Sequence, residues 1–158
     1  MEEKEFFTFS EYMRKEQEFL SPSGEDYLEM IYRLSKERGY TRVNNLAQAL
    51  NVQPPSVTKM IKKLSELELI KYEKYGVIVL EPYGLEKGKA LLERHNLIEK
   101  FLRFLKVDEG LLEETEKIEH TISNKILDGI KDIVDYFEEN PKKLSEFNQY
   151  RELHKNHS

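Results

Sequence analysis

Cysteine is absent from the chain altogether. A disulfide framework, thiolate zinc sites, iron–sulfur clusters and a cysteine nucleophile are therefore excluded. Long apolar runs are missing too: none approaches the ~20 residues that span a bilayer, and the mean hydropathy is -0.69. Glycine and histidine are scarce, at seven and four residues, and they form neither a phosphate-cradling loop nor a Ser/His/Asp triad. The opening MEEKEFF is acidic where a secretion signal is basic and then apolar. These absences lead us to expect a soluble, cytoplasmic protein with no membrane partner and no organic small-molecule substrate. What is present is a chain of 158 residues, enough for one globular unit or two small lobes.

Charge says more locally than globally. The net charge is -5, yet residues 41–76 carry six bases (Arg42, Lys59, Lys62, Lys63, Lys71, Lys74) against three acids. Residues 1–30 hold nine acids and three bases, and residues 81–120 ten acids and seven bases. A basic window within an acidic chain suggests one face for an anionic partner and another surface built of carboxylates.

The periodicity predicts a mainly α-helical fold: an N-terminal winged helix-turn-helix over 23–84, then an α-helical domain over 85–140. An extension over 1–22 precedes them, and a C-terminal tail over 141–158, holding His154 and His157, follows. Helix one is expected from Glu25 to Arg38, with Ser23 as N-cap, Gly39 as C-cap and an apolar face of Tyr27, Leu28, Ile31, Tyr32 and Leu34. Leu46, Ala47 and Leu50 then make a short buried helix face. Asn51 suits the left-handed turn that follows, and Pro54-Pro55 suits the first turn of the next helix. Val57, Met60, Ile61 and Leu64 bury one side of that helix, the geometry of a helix-turn-helix. Lys71 to Leu80 reads as two short strands around a glycine turn, a wing. Further helices are expected at Leu85–Leu105, about Glu109–Ser123 and Lys125–Glu139.

The second helix of this motif has the chemistry for a major groove of double-stranded DNA. Gln53, Ser56 and Thr58, next to Pro55, can hydrogen-bond base edges or phosphates, while Lys59, Lys62 and Lys63 can neutralise phosphates. On the wing, Tyr72 and Lys74, with Lys71 and Tyr75, can reach the neighbouring backbone. A charged helix face is by itself most often only solvated. Here the helix-turn spacing, the double proline and the wing coincide, which favours DNA.

Glu116, Glu119 and His120 fall at i, i+3 and i+4, which puts them on one helical face. His95 and Glu99 stand at i, i+4 on the preceding helix, and Asp26 and Glu29 at i, i+3 on helix one. Like charges at such spacings repel by a few tenths of a kcal/mol unless a cation sits among them. Carboxylates and imidazoles on three helices can hold one or two hard divalent ions. Without Cys or Met in the set, the donors favour Mn²⁺ or Fe²⁺, although the affinity order alone favours Zn²⁺ or Cu²⁺. Glu pairs in a chain with 35% charged residues mostly face water, and periodicity does not show that the helices converge.

The runs Glu25-Asp26-Tyr27-Leu28-Glu29-Met30-Ile31-Tyr32, Pro55-Ser56-Val57-Thr58-Lys59-Met60, Tyr72-Glu73-Lys74-Tyr75, Arg94-His95 and Ile118-Glu119-His120 together resemble the diphtheria toxin repressor family of metal-activated transcription factors. The resemblance covers about residues 24–140 in one register. It implies a winged-helix DNA-binding domain, an α-helical dimerisation domain, a metal site at their junction, and a homodimer on a pseudo-palindromic operator. It further implies that Asp26, Glu29, His95, Glu116, Glu119 and His120 are side-chain ligands of a site for two Mn²⁺ per subunit. The Thr115 backbone carbonyl and Glu99 are further candidates, and Fe²⁺, Co²⁺, Cd²⁺ or Zn²⁺ are substitute ions. The iron-responsive branch has methionine where Asp26 stands and cysteine where Glu116 stands, so the carboxylates imply the manganese branch. That points to a repressor of metal-uptake genes rather than an enzyme, without an SH3-like third domain.

The chain departs from the family pattern at four places. The first 20 residues extend beyond the usual start, Lys117 replaces a glycine, Thr121 replaces a second histidine, and Gly76-Val77 replaces Arg-Gly at the wing tip. Two other readings compete. One is a winged-helix repressor that senses a different ligand and binds DNA regardless of chelators. The other is a dimetal carboxylate enzyme of the ferritin-like kind, which wants a Glu-x-x-His on each of two helices; the helix here reads Glu116-x-x-Glu119-His120.

Overall fold

A serine followed by proline starts the first helix, three residues earlier than the sequence suggests. In the computed structural model, which describes residues 20–155, α1 runs Pro22–Ser35. Its N-cap is Ser21, not Ser23: the Ser21 hydroxyl accepts from the Gly24 N–H at 3.1 Å. Pro22 then takes the first helical position, where its fixed φ costs nothing. The residues before Leu20, including most of the expected extension, lie outside the described part, as does His157.

The chain divides into two compact units, 1–92 and 93–158. In the first, β1 (Thr41–Arg42) leads directly into α2 (Val43–Leu50), and α3 (Pro54–Glu66) follows a three-residue turn. Asn51 sits in that turn at φ 54, ψ 46, the left-handed conformation anticipated for it. Pro54 and Pro55 occupy the first turn of α3. The wing follows as β2 (Ile70–Glu73), a 3₁₀ turn (Lys74–Gly76) and β3 (Val77–Leu80). Tyr75 and Gly76 both have positive φ, 64° and 72°, so the reversal uses a tyrosine as well as the glycine.

One strand was not legible in the sequence. The two residues of β1 pair with β3, Thr41 opposite Ile78 and Arg42 opposite Val77, which makes β3 the centre of an antiparallel sheet ordered β1-β3-β2. Two residues cannot show a period. Beneath the sheet and the three helices lies one core in which Leu28, Ile31, Leu46, Val57, Ile61 and Leu64 are fully buried. Each such side chain contributes about 1.5–3 kcal/mol, which is what holds α3 in place while its other face stays open.

Helix α4 (Pro82–Phe104) begins in the first unit and continues into the second. The second unit adds α5 (Leu111–Glu119), α6 (Asn124–Glu139) and α7 (Pro141–Lys155). Two expectations need correction here. Helix α5 stops at Glu119 with His120 as its C-cap, rather than near Ser123, and Ser123 instead caps α6 by accepting from the Ile126 N–H at 3.4 Å. The expected tail is a helix: Pro141 does not end helical structure but opens α7, as proline can at a first turn. Phe147 of α7 packs on Phe137 of α6, ring centroids 5.4 Å apart, and Arg151 donates to the Leu105 carbonyl. His154 accordingly lies in α7, its ring stacked on Tyr150 at 4.1 Å.

Where α4 starts, backbone approaches backbone. A Cβ at Gly84 stands 1.8 Å from the Leu69 carbonyl oxygen, the same oxygen that accepts from the Glu81 N–H at 3.0 Å. Gly84→Ala is therefore expected to lose at least about 3 kcal/mol of stability. Gly39→Ala, which meets open space at φ +78, should lose only about 1 kcal/mol. Urea denaturation of both variants checks the contrast.

Candidate metal centre and nucleic-acid interface

The second unit holds a buried carboxylate against a buried imidazole. Glu119, at the end of α5, is 1% exposed, and His95 of α4 is 3% exposed. His95 Nδ1 lies 2.7 Å from Glu119 Oε2. Glu116 Oε1 stands 3.7 Å from the same nitrogen. His120 adds its Nε2 at 3.4 Å from Glu119 Oε1 and 4.0 Å from Glu116 Oε2. One ligating atom each from Glu116, Glu119 and His120 lies within 4.8 Å of the others. The i, i+3, i+4 face expected from the sequence is therefore formed, at the end of α5, and α4 brings His95 to it.

Glu99 occupies a different place from these. It faces the other ring nitrogen, His95 Nε2, at 3.4 Å, and Arg103 binds it through two nitrogens at 2.9 and 3.3 Å. The Arg103 guanidinium holds the Glu99 carboxyl below its ordinary range, with His95 adding to the effect. A carboxylate on the far nitrogen of an imidazole fixes the ring and its tautomer, as outer partners do behind metal-bound histidines. Thr115 is fully buried, and its hydroxyl donates to the Leu111 carbonyl at 2.7 Å. It stands before the last four residues of α5, whose carbonyls alone lack an intrahelical partner, so its own carbonyl reaches an ion only by sharing.

Asp26 and Glu29 lie on α1 in the first unit, Asp26 half-buried and Glu29 9% exposed. Burying a carboxylate costs several kcal/mol unless a cation or hydrogen bonds compensate. Arg33 supplies part of this for Glu29, and two further arginines attend His120 and Glu99; sequence reasoning gave none of the three a role. Arg33 pairs with Glu29 at 2.8 Å, Arg94 lies 3.4 Å from His120 Nδ1, and Arg103 holds Glu99. For Arg33 and Arg103 the i, i+4 spacing to a glutamate was a readable signal; for Arg94, 26 positions from its partner, there was none. The donors suit a divalent ion: hard oxygens plus imidazole nitrogen, no sulfur, and two of them nearly sealed from water.

The DNA-facing candidates form a separate surface of the first unit. Gln53, Pro55, Ser56, Thr58, Lys59, Lys62 and Lys63 are all exposed, while Val57, Ile61 and Leu64 on the opposite face of α3 are buried. The Thr58 hydroxyl donates to the Pro54 carbonyl at 3.1 Å, so it meets a base or phosphate chiefly as an acceptor. On the wing Tyr72, Lys74 and Tyr75 are exposed, Tyr75 by 90%. The departures from the family pattern are accommodated locally: Lys117 pairs with Glu113 and Glu114, and the Thr121 hydroxyl donates to the Ile118 carbonyl.

A winged helix with an open basic recognition face, followed by helices that gather buried carboxylates and histidines, defines a metal-responsive DNA-binding regulator. Comparison with known proteins agrees. The family profile described as "Iron dependent repressor, N-terminal DNA binding domain" matches residues 19–78, and "Iron dependent repressor, metal binding and dimerisation domain" matches residues 81–148. The chain belongs to the iron-dependent repressor family, that of the diphtheria toxin repressor. It is 47% identical over 125 residues to the HTH-type transcriptional regulator MntR of Geobacillus kaustophilus, which covers 78% of this chain and 89% of that protein. It is 44% identical over 139 residues to MntR of Bacillus subtilis, covering 87% and 98% of the two chains.

Among solved structures, the manganese regulator SloR superposes with TM-score 0.65 at 30% identity, covering 74% of this chain and 55% of that one. The ScaR structure with bound Cd²⁺ gives TM-score 0.60 at 36% identity, covering 72% and 54%. The chain thus spans about half the length of these structural relatives and most of the length of the MntR proteins. It is a transcriptional regulator with DNA, a divalent metal ion and a second copy of itself as partners. No helix among the described residues is long and apolar enough to cross a membrane.

If Glu119 is a ligand, Glu119→Gln keeps the shape and a hydrogen-bonding side chain but removes the charge. Saturating Mn²⁺, at a hundred times Kd, should stabilise the wild-type protein by about 2.7 kcal/mol, a rise in Tm of about 5–10 °C. The variant should show almost none of it in a thermal melt.

Proposed function

We propose that this chain is a manganese-responsive repressor of metal-uptake genes, in which Asp26 and Glu29 from α1 join His95, Glu116, Glu119 and His120 as the side-chain ligands of up to two Mn²⁺ per subunit. The observation that carries the reading is the Glu119–His95 pair, sealed from water at 2.7 Å, in a chain whose relatives are named for manganese. Carboxylates at Asp26 and Glu116 rather than sulfur favour Mn²⁺ within the set that also takes Fe²⁺, Co²⁺, Cd²⁺ or Zn²⁺. Glu99 orients the His95 ring from behind. The ion supplies a double positive charge to the clustered carboxylates.

The consequence for DNA follows from charge. On this reading, ligands on α1 and ligands on the second unit share the ion only when it is present. With it they are drawn together, which sets the positions of the two recognition helices in a homodimer. Two copies of α3 then meet successive major-groove half-sites of a pseudo-palindromic operator, about 34 Å apart or a multiple of that. An apolar stripe on α6 fits the dimer seam: Ile126, Ile133 and Tyr136 are 58%, 45% and 50% exposed in the single chain. Coupling is reciprocal, so DNA tightens metal binding by the factor by which the metal tightens DNA binding. A regulator sensing another ligand shares the DNA surface but gives no role to the buried Glu119–His95 pair.

The test begins with operator selection from a randomised duplex pool in Mn²⁺, followed by anisotropy titrations with Mn²⁺ and with chelator. Operator affinity should fall at least about tenfold in chelator, consistent with the usual range of allosteric coupling. Affinity indifferent to chelator would sink the metal-dependent reading and favour the other-ligand sensor. In the same assay Glu29→Ala should lose the metal response while its circular dichroism stays native. Lys59→Ala should weaken binding and lower the salt slope by about one, with the calorimetric Mn²⁺ affinity of the free protein unchanged.

A further inference from the structure

Glu29 is not held by solvent but by a fixed cation one helical turn away. Its Oε2 lies 2.8 Å from an Arg33 guanidinium nitrogen, with the Glu29 side chain 12% exposed and that of Arg33 35%. The Arg33 Nε is itself buried and meets no hydrogen-bond acceptor. A guanidinium stays charged at any accessible pH, and leaving one of its N–H groups dry has a desolvation cost. As a stabilising surface pair this is a poor arrangement. As a substitute charge for a buried carboxylate it has a clear purpose.

On the reading of Glu29 as a metal ligand, we propose that Arg33 is a built-in competitor of the divalent ion. In the metal-free protein it satisfies the Glu29 carboxylate. When the ion arrives, Arg33 gives up Oε2 and turns its third-exposed side chain to water. Because the pair is i, i+4 on one helix, the exchange needs only a rotamer change and leaves α1 intact. Two electrostatic effects act in the same direction. Arg33 occupies an oxygen the ion needs, and its positive charge repels the ion after it has moved. Arg33 therefore raises the metal concentration at which the protein responds. A positioning role, in which Arg33 presents Glu29 to the ion, predicts the opposite sign, and the sign decides.

The experiment is calorimetric titration of Mn²⁺ into the chelator-stripped full chain, beside thermal melts of the metal-free proteins. Arg33→Met should bind Mn²⁺ about tenfold more tightly, the effect of deleting one nearby charge at moderate screening. Its metal-free form should melt lower than wild type and gain more on adding Mn²⁺. Arg33→Lys, which keeps a cation at the position, should stay within about twofold of wild type. Arg33→Gln serves the same comparison if the methionine variant does not fold. Equal or weaker binding by Arg33→Met or Arg33→Gln, while Glu29→Gln loses affinity, overturns the competitor role and leaves Glu29 as a ligand. Wild-type affinity in Glu29→Gln removes the ligand reading, and this inference with it.

Discussion

The second unit depends on one interaction, the buried hydrogen bond between Glu119 and His95. A carboxylate 1% exposed and an imidazole 3% exposed each pay a desolvation cost that only a close partner offsets. At 2.7 Å they offset one another, and in doing so they tie α5 to α4. Two apolar side chains in these places would hold the helices together at lower risk. Keeping ionisable groups there makes sense where a further cation is to be received, because oxygens and nitrogens already desolvated bind an ion more strongly than solvated ones.

Net charge is a poor guide to partners in this chain, and burial shows why. The total of -5 hides a division of labour. Acids outnumber bases on either side of the basic window, whereas α3 exposes Lys59, Lys62 and Lys63 with its apolar face locked in the core. What DNA meets is the local surface within about a Debye length, roughly 8 Å at physiological salt. The wing tip is arranged differently from the family pattern: the arginine is gone, and Tyr75 stands almost wholly exposed in a left-handed conformation. An aromatic ring flanked by Lys74 can lie along sugar and phosphate, but it does not read a narrow groove as a guanidinium does.

The fold was legible wherever period and punctuation agreed. Asn51 in its left-handed turn, Pro54-Pro55 opening α3 and the apolar face of Val57, Ile61 and Leu64 each follow from local chemistry. The misreadings occurred where a residue has two uses. Ser21 and Ser23 are equally good caps by type, and Pro22 decided between them by preferring the first helical position. The helix before Pro141 ends at Glu139 as expected, but the segment read as a tail is a further helix, because a proline that cannot continue one helix can open the next. Strand β1 is held by pairing with β3 across 34 intervening residues, 43–76, which no local pattern records. Of the metal centre, the face of Glu116, Glu119 and His120 was legible in spacing. The guanidinium beside His120 was not, since Arg94 lies on another helix.

An ion sensor must also fail to respond at low metal, and strong ligands alone work against that. On the proposed set of four carboxylates and two imidazoles, the threshold has to be raised by something that does not weaken the geometry. Repulsion among carboxylates does the reverse, because it favours any cation. A tethered guanidinium solves this: it removes the repulsion in the metal-free state, and its effective concentration is set by the helix rather than by the cell. The free energy for reordering the dimer is then the difference between ion and arginine at the same carboxylate. Shifting a two-state equilibrium from 1:99 to 99:1 takes about 5.5 kcal/mol of differential binding. Against that, a single competitor lowering the affinity by about tenfold moves the threshold without abolishing the switch. With Glu29 as a ligand, Arg33 is placed to do this.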